Sequence, residues 1–132
     1  MALTLHFHPL SSYCMKVLVG LYELGVAHDK NLVDFGDESQ RAAFLALSPI
    51  GKFPVVRDEA RGRTVSESTI ILEYLDEQHP GLVPREADRA LECRLKDRFY
   101  DRYVHTPMQK IVNDKLRPQE QRDPLGVEEA KA

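Results

Sequence analysis

LTLHFHPLSSYCMKVLVGLYELG, residues 3–25, changes its period part-way. Leu3, Leu5 and Phe7 alternate with Thr4, His6 and His8, which predicts a short strand ended by Pro9. Cys14, Val17, Leu18, Leu21 and Leu24 then recur at steps of three and four, the spacing of one helix face. Gly25 stands where helices commonly stop. Between strand and helix lie Ser11, Ser12, Tyr13 and Cys14, four oxygen- or sulfur-bearing side chains in a row. A strand that turns directly into a helix is the opening of a βα unit, and its turn is a place for chemistry.

Further along, Lys30 to Asp34 predicts a second strand, and the polar run Phe35 to Gln40 leads to a short helix over Arg41 to Leu47, stopped by Ser48-Pro49. Lys52 to Arg57 reads as a third strand, and a turn over Asp58 to Arg63 joins it to a brief fourth at Thr64-Val65. Ser66 is then the expected cap of a helix from Glu67 to Gln78, with Ile70, Ile71, Tyr74 and Leu75 facing inward. The order βαβ-α-ββα predicts an α/β domain, a mixed four-stranded sheet with helices packed on it.

His79-Pro80-Gly81 ends that unit, so the expected partition is a first domain over 1–80, a linker over 81–85 and a helical segment over 86–132. Glu86 to Lys115 predicts one long amphipathic helix, with Leu91, Leu95, Phe99, Met108, Ile111 and Val112 near one stripe and a kink at Pro107. Asp123-Pro124 is an N-cap followed by proline at the first helical position. The last span thus reads as the start of an all-α C-terminal domain whose apolar face is expected to self-associate.

The charge balance narrows the function. Of 132 residues, 18 are Lys or Arg and 21 Asp or Glu, intermixed, for a net charge of −3. A track of cations along phosphates is absent, so no nucleic-acid partner is expected. No stretch approaches the roughly 20 apolar residues that span a bilayer, and MALTLHFH lacks a basic segment leading into a long apolar run. Two cysteines make no disulfide framework. A soluble, cytoplasmic protein without a membrane partner is the expectation.

Three stretches carry candidate chemistry. Ser11 and Ser12 lie beside the first N–H groups of a helix, where the positive end of the dipole stabilises an anion. A serine there is a poor base but can donate a hydrogen bond to a bound thiolate; the plainer alternative is a helix cap. A free thiol with pKa near 8.5 is only about 3% ionised at neutral pH. Lowering that pKa by about two units takes roughly 2.7 kcal/mol of differential stabilisation, within reach of a charge-assisted hydrogen bond plus a helix N-terminus. Cys14 lies on the apolar stripe and reads as a buried, inert thiol, and Tyr13 as a packing residue. His6 and His8 share one strand face but have no ligand partners at suitable spacing, so no metal is expected.

Phe53-Pro54 opens a strand, where proline is tolerated. A cis bond there would turn the Phe53 backbone outward to pair with an extended peptide. Ser66-Glu67-Ser68 heads a helix, so Ser68 can offer a hydroxyl and an N–H to a carboxylate while Glu67 holds an ammonium; an ordinary cap is the alternative. Together these describe a site for a small thiol peptide.

At this point the residues resemble a glutathione transferase. HPLSSYCMKV is similar to the family's catalytic turn, SPIGKFPVV to its cis-proline segment, and SESTIILEYLDE to the segment gripping the γ-glutamyl end of glutathione. The resemblance implies a thioredoxin-like N-terminal domain followed by a helical one, and glutathione as co-substrate. It implies attack on a small hydrophobic electrophile, as in detoxification, with isomerisation of an unsaturated acid or a non-catalytic interaction module as alternatives. It implies a homodimer. By position, Ser11 resembles the activating serine, with Ser12 the second candidate. Pro54 matches the cis-proline, Phe53 the residue whose backbone meets the cysteinyl part, and Glu67 and Ser68 the γ-glutamyl contacts; Lys52 matches a position that touches the peptide's polar ends. Ser39 and Gln40 depart from the basic residues some members carry for the glycyl carboxylate. Arg94, Arg98, Tyr103 and Met108 are candidates for lining the electrophile site, or for packing. In related oxidoreductases a C-x-x-C motif fills the turn; Ser11 replaces its attacking cysteine, so dithiol redox chemistry is expected to be lost.

Overall fold

The computed structural model describes residues 2–132; Met1 lies outside them. Two compact units divide the chain, the first ending at Pro84 and the second running Arg85–Ala132.

The first unit begins with strand β1 (Leu3–Phe7), helix α1 (Ser12–Glu23) and strand β2 (Asp29–Leu32). β2 pairs parallel to β1, as the intervening helix requires. Helix α2 (Glu38–Leu47), strands β3 (Val55–Asp58) and β4 (Arg63–Ser66), and helix α3 (Ser68–Gln78) complete it. The strands order as β2-β1-β3-β4, with β3 antiparallel to both its neighbours. This is the mixed four-stranded sheet that the order βαβ-α-ββα predicts, in the thioredoxin-like arrangement that the resemblance implies.

Two clusters fill the sheet's faces. Leu3, Leu5, Val17, Leu21, Val56, Ile71 and Leu75 pack together where α1 and α3 cover the sheet. Each fully buried aliphatic side chain contributes about 1.5–3 kcal/mol. Val33, Phe44 and Val55 form a second cluster with Leu47 and Phe53 beside it. Helices α1 and α3 approach closely because position 20 carries no side chain: a Cβ on Gly20 would lie 2.3 Å from Leu72 Cδ2.

Several boundaries differ from the sequence-based expectation. β2 stops at Leu32, and Val33 turns from it into the second cluster. α2 starts three residues early because Asp37 caps it, accepting from the N–H groups of Ser39 (2.9 Å) and Gln40 (3.1 Å). Ser66 closes β4 instead of capping α3, whose N-cap is Glu67 with no side-chain bond. Ile70 is 54% exposed, and Ser68 takes the inward place with Ile71, Tyr74 and Leu75. The backbone of 81–83 is held by one carboxylate oxygen, Asp76 Oδ1, which accepts from Gly81 (2.9 Å), Leu82 (2.7 Å) and Val83 (3.3 Å).

In the second unit the expected long helix runs without a break but changes its winding part-way. Helix α4 (Ala87–Tyr100) passes through a π-helical turn at Asp101–His105 into helix α5 (Thr106–Leu116). Pro107, which lacks an N–H, falls in the first turn of α5, directly after the π turn. Thr106 bonds back to the Asp101 carbonyl through both its N–H and its hydroxyl. After a 3-10 turn at Gln119–Gln121, helix α6 (Pro124–Lys131) is capped by Asp123, which also pairs with Lys110 at 2.6 Å. Among the described residues, no helix is long and apolar enough to cross a membrane.

Candidate functional site

The strand register explains why three distant stretches meet. His6 pairs with Val55, and Val55 pairs with Ser66 on its other side. The chain therefore leaves β1 toward Ser11, enters β3 from Pro54 and leaves β4 toward Glu67 at one end of the sheet. The candidates of the first unit follow that register: Ser11 and Ser12 after β1, Lys52, Phe53 and Pro54 before β3, Glu67 and Ser68 after β4.

At the first stretch Ser11 is the N-cap of α1, with φ −90° and ψ 113°. Its Oγ accepts from the Cys14 N–H at 3.3 Å, and its own N–H donates to the His8 carbonyl at 3.0 Å. Accepting a bond leaves a hydroxyl its proton, so a capping serine remains a donor to a second group. Cap and thiol donor are compatible roles here. Ser12 opens the helix, half-buried. Cys14 is fully buried, and that burial pushes its thiol above the ordinary value, partly opposed by the hydrogen bonds from Ser11 and the His8 backbone. It packs in the interior and is a poor nucleophile.

At the second stretch the Phe53–Pro54 peptide is cis. Phe53 stands two residues before the first pair of either β3 ladder, so its backbone lies outside the sheet's pairing. Its ring stacks on Phe35 (centroids 4.8 Å, 24°) and leans on Phe44 (4.8 Å). Pro54 is buried and Lys52 exposed.

At the third, Glu67 has φ 70° and ψ 121°, a backbone region costing an L-residue on the order of 1–3 kcal/mol. The carboxylate makes no capping bond, and the Glu67 carbonyl instead accepts from the Ile71 N–H at 2.8 Å. Ser68, only 5% exposed, is the first residue of α3.

Two histidines flank the turn. His6 Nδ1 meets Asn31 Nδ2 at 2.9 Å, and burial lowers its pKa. His8 Nδ1 accepts from the Leu10 N–H at 3.2 Å. Among the described residues, no three His, Cys, Asp or Glu side chains are grouped to hold a metal ion. Gln40 is spent locally, its Oε1 accepting from the Asp34 N–H at 3.0 Å. In the second unit Arg98 pairs with Asp101, while Tyr103 is 65% and Met108 42% exposed.

Two features escaped the sequence reading. The Phe35–Phe44–Phe53 cluster joins three residues with no common period, so no local signal could have found it. The Lys16 amino group donates to Thr69 Oγ1 at 3.1 Å, linking α1 to α3 across 53 positions of sequence.

Residues 5–83 match the sequence family described as glutathione S-transferase, N-terminal domain. The chain belongs to the glutathione S-transferase N-terminal domain family. A stringent starvation protein A homolog of Histophilus somni is 35% identical over 105 residues, 74% of this chain and 48% of that protein. The maleylacetoacetate isomerase of Pseudomonas aeruginosa is 32% identical over 81 residues, 61% of this chain and 38% of the other. The chain thus spans about half or less of these curated relatives. Among solved structures, a glutathione S-transferase of Methylobacillus flagellatus KT with GSH bound superposes with a TM-score of 0.84 at 26% identity, over 98% of this chain and 63% of that one.

Proposed function

We propose that the chain forms the glutathione-binding part of a glutathione transferase that delivers the thiol to a small hydrophobic electrophile. The convergence of the Ser11 turn, the cis-proline segment and the head of α3 at one sheet end carries this reading. Ser11 donates its hydroxyl proton in a hydrogen bond to the glutathione sulfur, stabilising the thiolate; Ser12 is the alternative donor. The Phe53 backbone pairs with the cysteinyl part, Pro54 presenting it, and Lys52 reaches a polar end of the peptide. Ser68 binds the γ-glutamyl carboxylate at the α3 N-terminus, and Glu67 holds the γ-glutamyl ammonium. Strain at a residue whose carboxylate makes no cap bond supports the last assignment.

In the reaction the thiol proton leaves to solvent and the thiolate electron pair forms a C–S bond. The displaced group departs with its bonding pair, or the electrophile's double bond opens and takes up a proton. The proposed organisation is a glutathione-binding domain over 1–80, a linker over 81–85 and part of a helical domain over 86–132, in a homodimeric, cytoplasmic protein.

Replacing Ser11 tests the reading. Wild type with glutathione should show thiolate absorbance in the ultraviolet at neutral pH, and Ser11→Ala should bind glutathione but lose most of that absorbance. If Ser12→Ala loses it instead, the roles exchange. Two other readings have support. Likeness to a maleylacetoacetate isomerase favours glutathione-dependent isomerisation, with the thiolate adding and then leaving. Likeness to stringent starvation protein A homologs, whose name states no transferase activity, keeps a binding module without turnover as the other reading, with no thiolate signal expected in any variant.

A further inference from the structure

Helices α1 and α3 meet along matched turns. Gly20 faces Leu72 at a distance that leaves no room for a Cβ. One turn nearer the site, Lys16 stands four residues before Gly20, and Thr69 three before Leu72; their side chains join at 3.1 Å in a part-buried hydrogen bond. Ser12 lies one turn further in the same direction on α1, and Ser68 immediately precedes Thr69 on α3. The Lys16–Thr69 bond thus ties the two helices within about a turn of the starts that the transferase reading assigns to the thiol and the γ-glutamyl carboxylate.

We propose that Lys16 is a positioning residue for glutathione, an inference that rests on the transferase reading. Its bond to Thr69 sets the spacing between the α1 and α3 N-termini, and so between the thiol site and the carboxylate site. Its ammonium is held on Thr69, the residue after Ser68, one turn from Ser12. A cation there favours the thiolate over the thiol, adding to the dipoles of both helices.

The test compares wild type, Lys16→Met, Lys16→Arg and Thr69→Val in the whole chain. Calorimetry with glutathione and the pH profile of thiolate absorbance give the two readouts, and thermal melts confirm that each variant folds. Lys16→Met should weaken glutathione binding about fivefold and raise the apparent pKa of the bound thiol by about half a unit. Lys16→Arg should restore the thiol pKa, because the charge returns. Thr69→Val should weaken binding without moving the thiol pKa, because the charge remains. A Lys16→Met protein with unchanged affinity and unchanged thiol pKa overturns the proposal while the transferase reading stands. Lower thermal stability with an unchanged thiol pKa also overturns it, leaving Lys16 a packing tie. If wild type binds no glutathione, both readings fall together.

Discussion

Glu67 sets a local backbone cost beside a proposed binding role in one residue. Its φ of 70° suits glycine, and nothing in the order Ser-Glu-Ser announces it. Glu67→Gly should therefore raise stability to urea by about 1 kcal/mol while weakening glutathione binding. A variant both less stable and equally tight would contradict the assignment. Asp58 is a second such residue: buried at the end of β3, it accepts from the Tyr74 hydroxyl at 2.7 Å and from Arg61. The Tyr74 bond, followed by those of Arg61, outweighs burial and holds its carboxyl below the usual range. A carboxyl whose folded pKa is depressed contributes its stability above the unfolded value, near 3.9, and loses it as pH falls through the folded one. Tyr74→Phe should cost about 1–3 kcal/mol at neutral pH and reduce the loss of stability as pH falls below the ordinary carboxylate range. Urea titrations across that range check both effects. The burial of Tyr74 was legible from its helical period; its bond to Asp58 was not, because the partners lie 16 residues apart.

Among the elements, those with a strong local period were readable. β1 and α1 follow from alternation and from three- and four-residue spacing, and Ser11 was legible as a cap because a hydroxyl preceded the helical run. The start of α2 was missed because Asp37 sits in a polar run where several residues could cap. β3 begins at Val55, later than its apolar run suggests, because its pairing begins opposite His6. The π turn at Asp101–His105 had no signal in the apolar stripe; it stands directly before Pro107, where the ladder of helical hydrogen bonds lacks a donor. Asp76 had no local signal at all, since its three partners lie in the turn after α3. Removing a carboxylate that satisfies several N–H groups leaves each of them short, so Asp76→Ala should cost about 3 kcal/mol in urea unfolding. A change under about 0.5 kcal/mol, the usual size for surface positions, would show that water replaces it.

At the scale of the molecule, order in the sheet did what local pattern could not. The three candidate stretches stood out by their residue types, and the βαβ-α-ββα order implied a mixed sheet, but the end they share follows from pairing His6 with Val55 and Val55 with Ser66. In the second unit the stripe read from the sequence is real and open: Leu91 is 68%, Leu95 68% and Phe99 51% exposed. An apolar stripe of that kind promotes association. Size-exclusion chromatography of the chain should show species above its 15.1 kDa mass, reduced when Leu91, Leu95 and Phe99 are all replaced by Gln. A clean monomer before substitution would contradict this.

In the proposed function the sheet end holding Ser11, Phe53-Pro54 and Glu67-Ser68 binds glutathione. Calorimetric titration of glutathione into the folded wild-type chain should then give saturable 1:1 binding, weakened in Glu67→Gly and retained in Ser11→Ala. A folded chain that takes up no glutathione would contradict it, and Ser11 would then be a helix cap and nothing more.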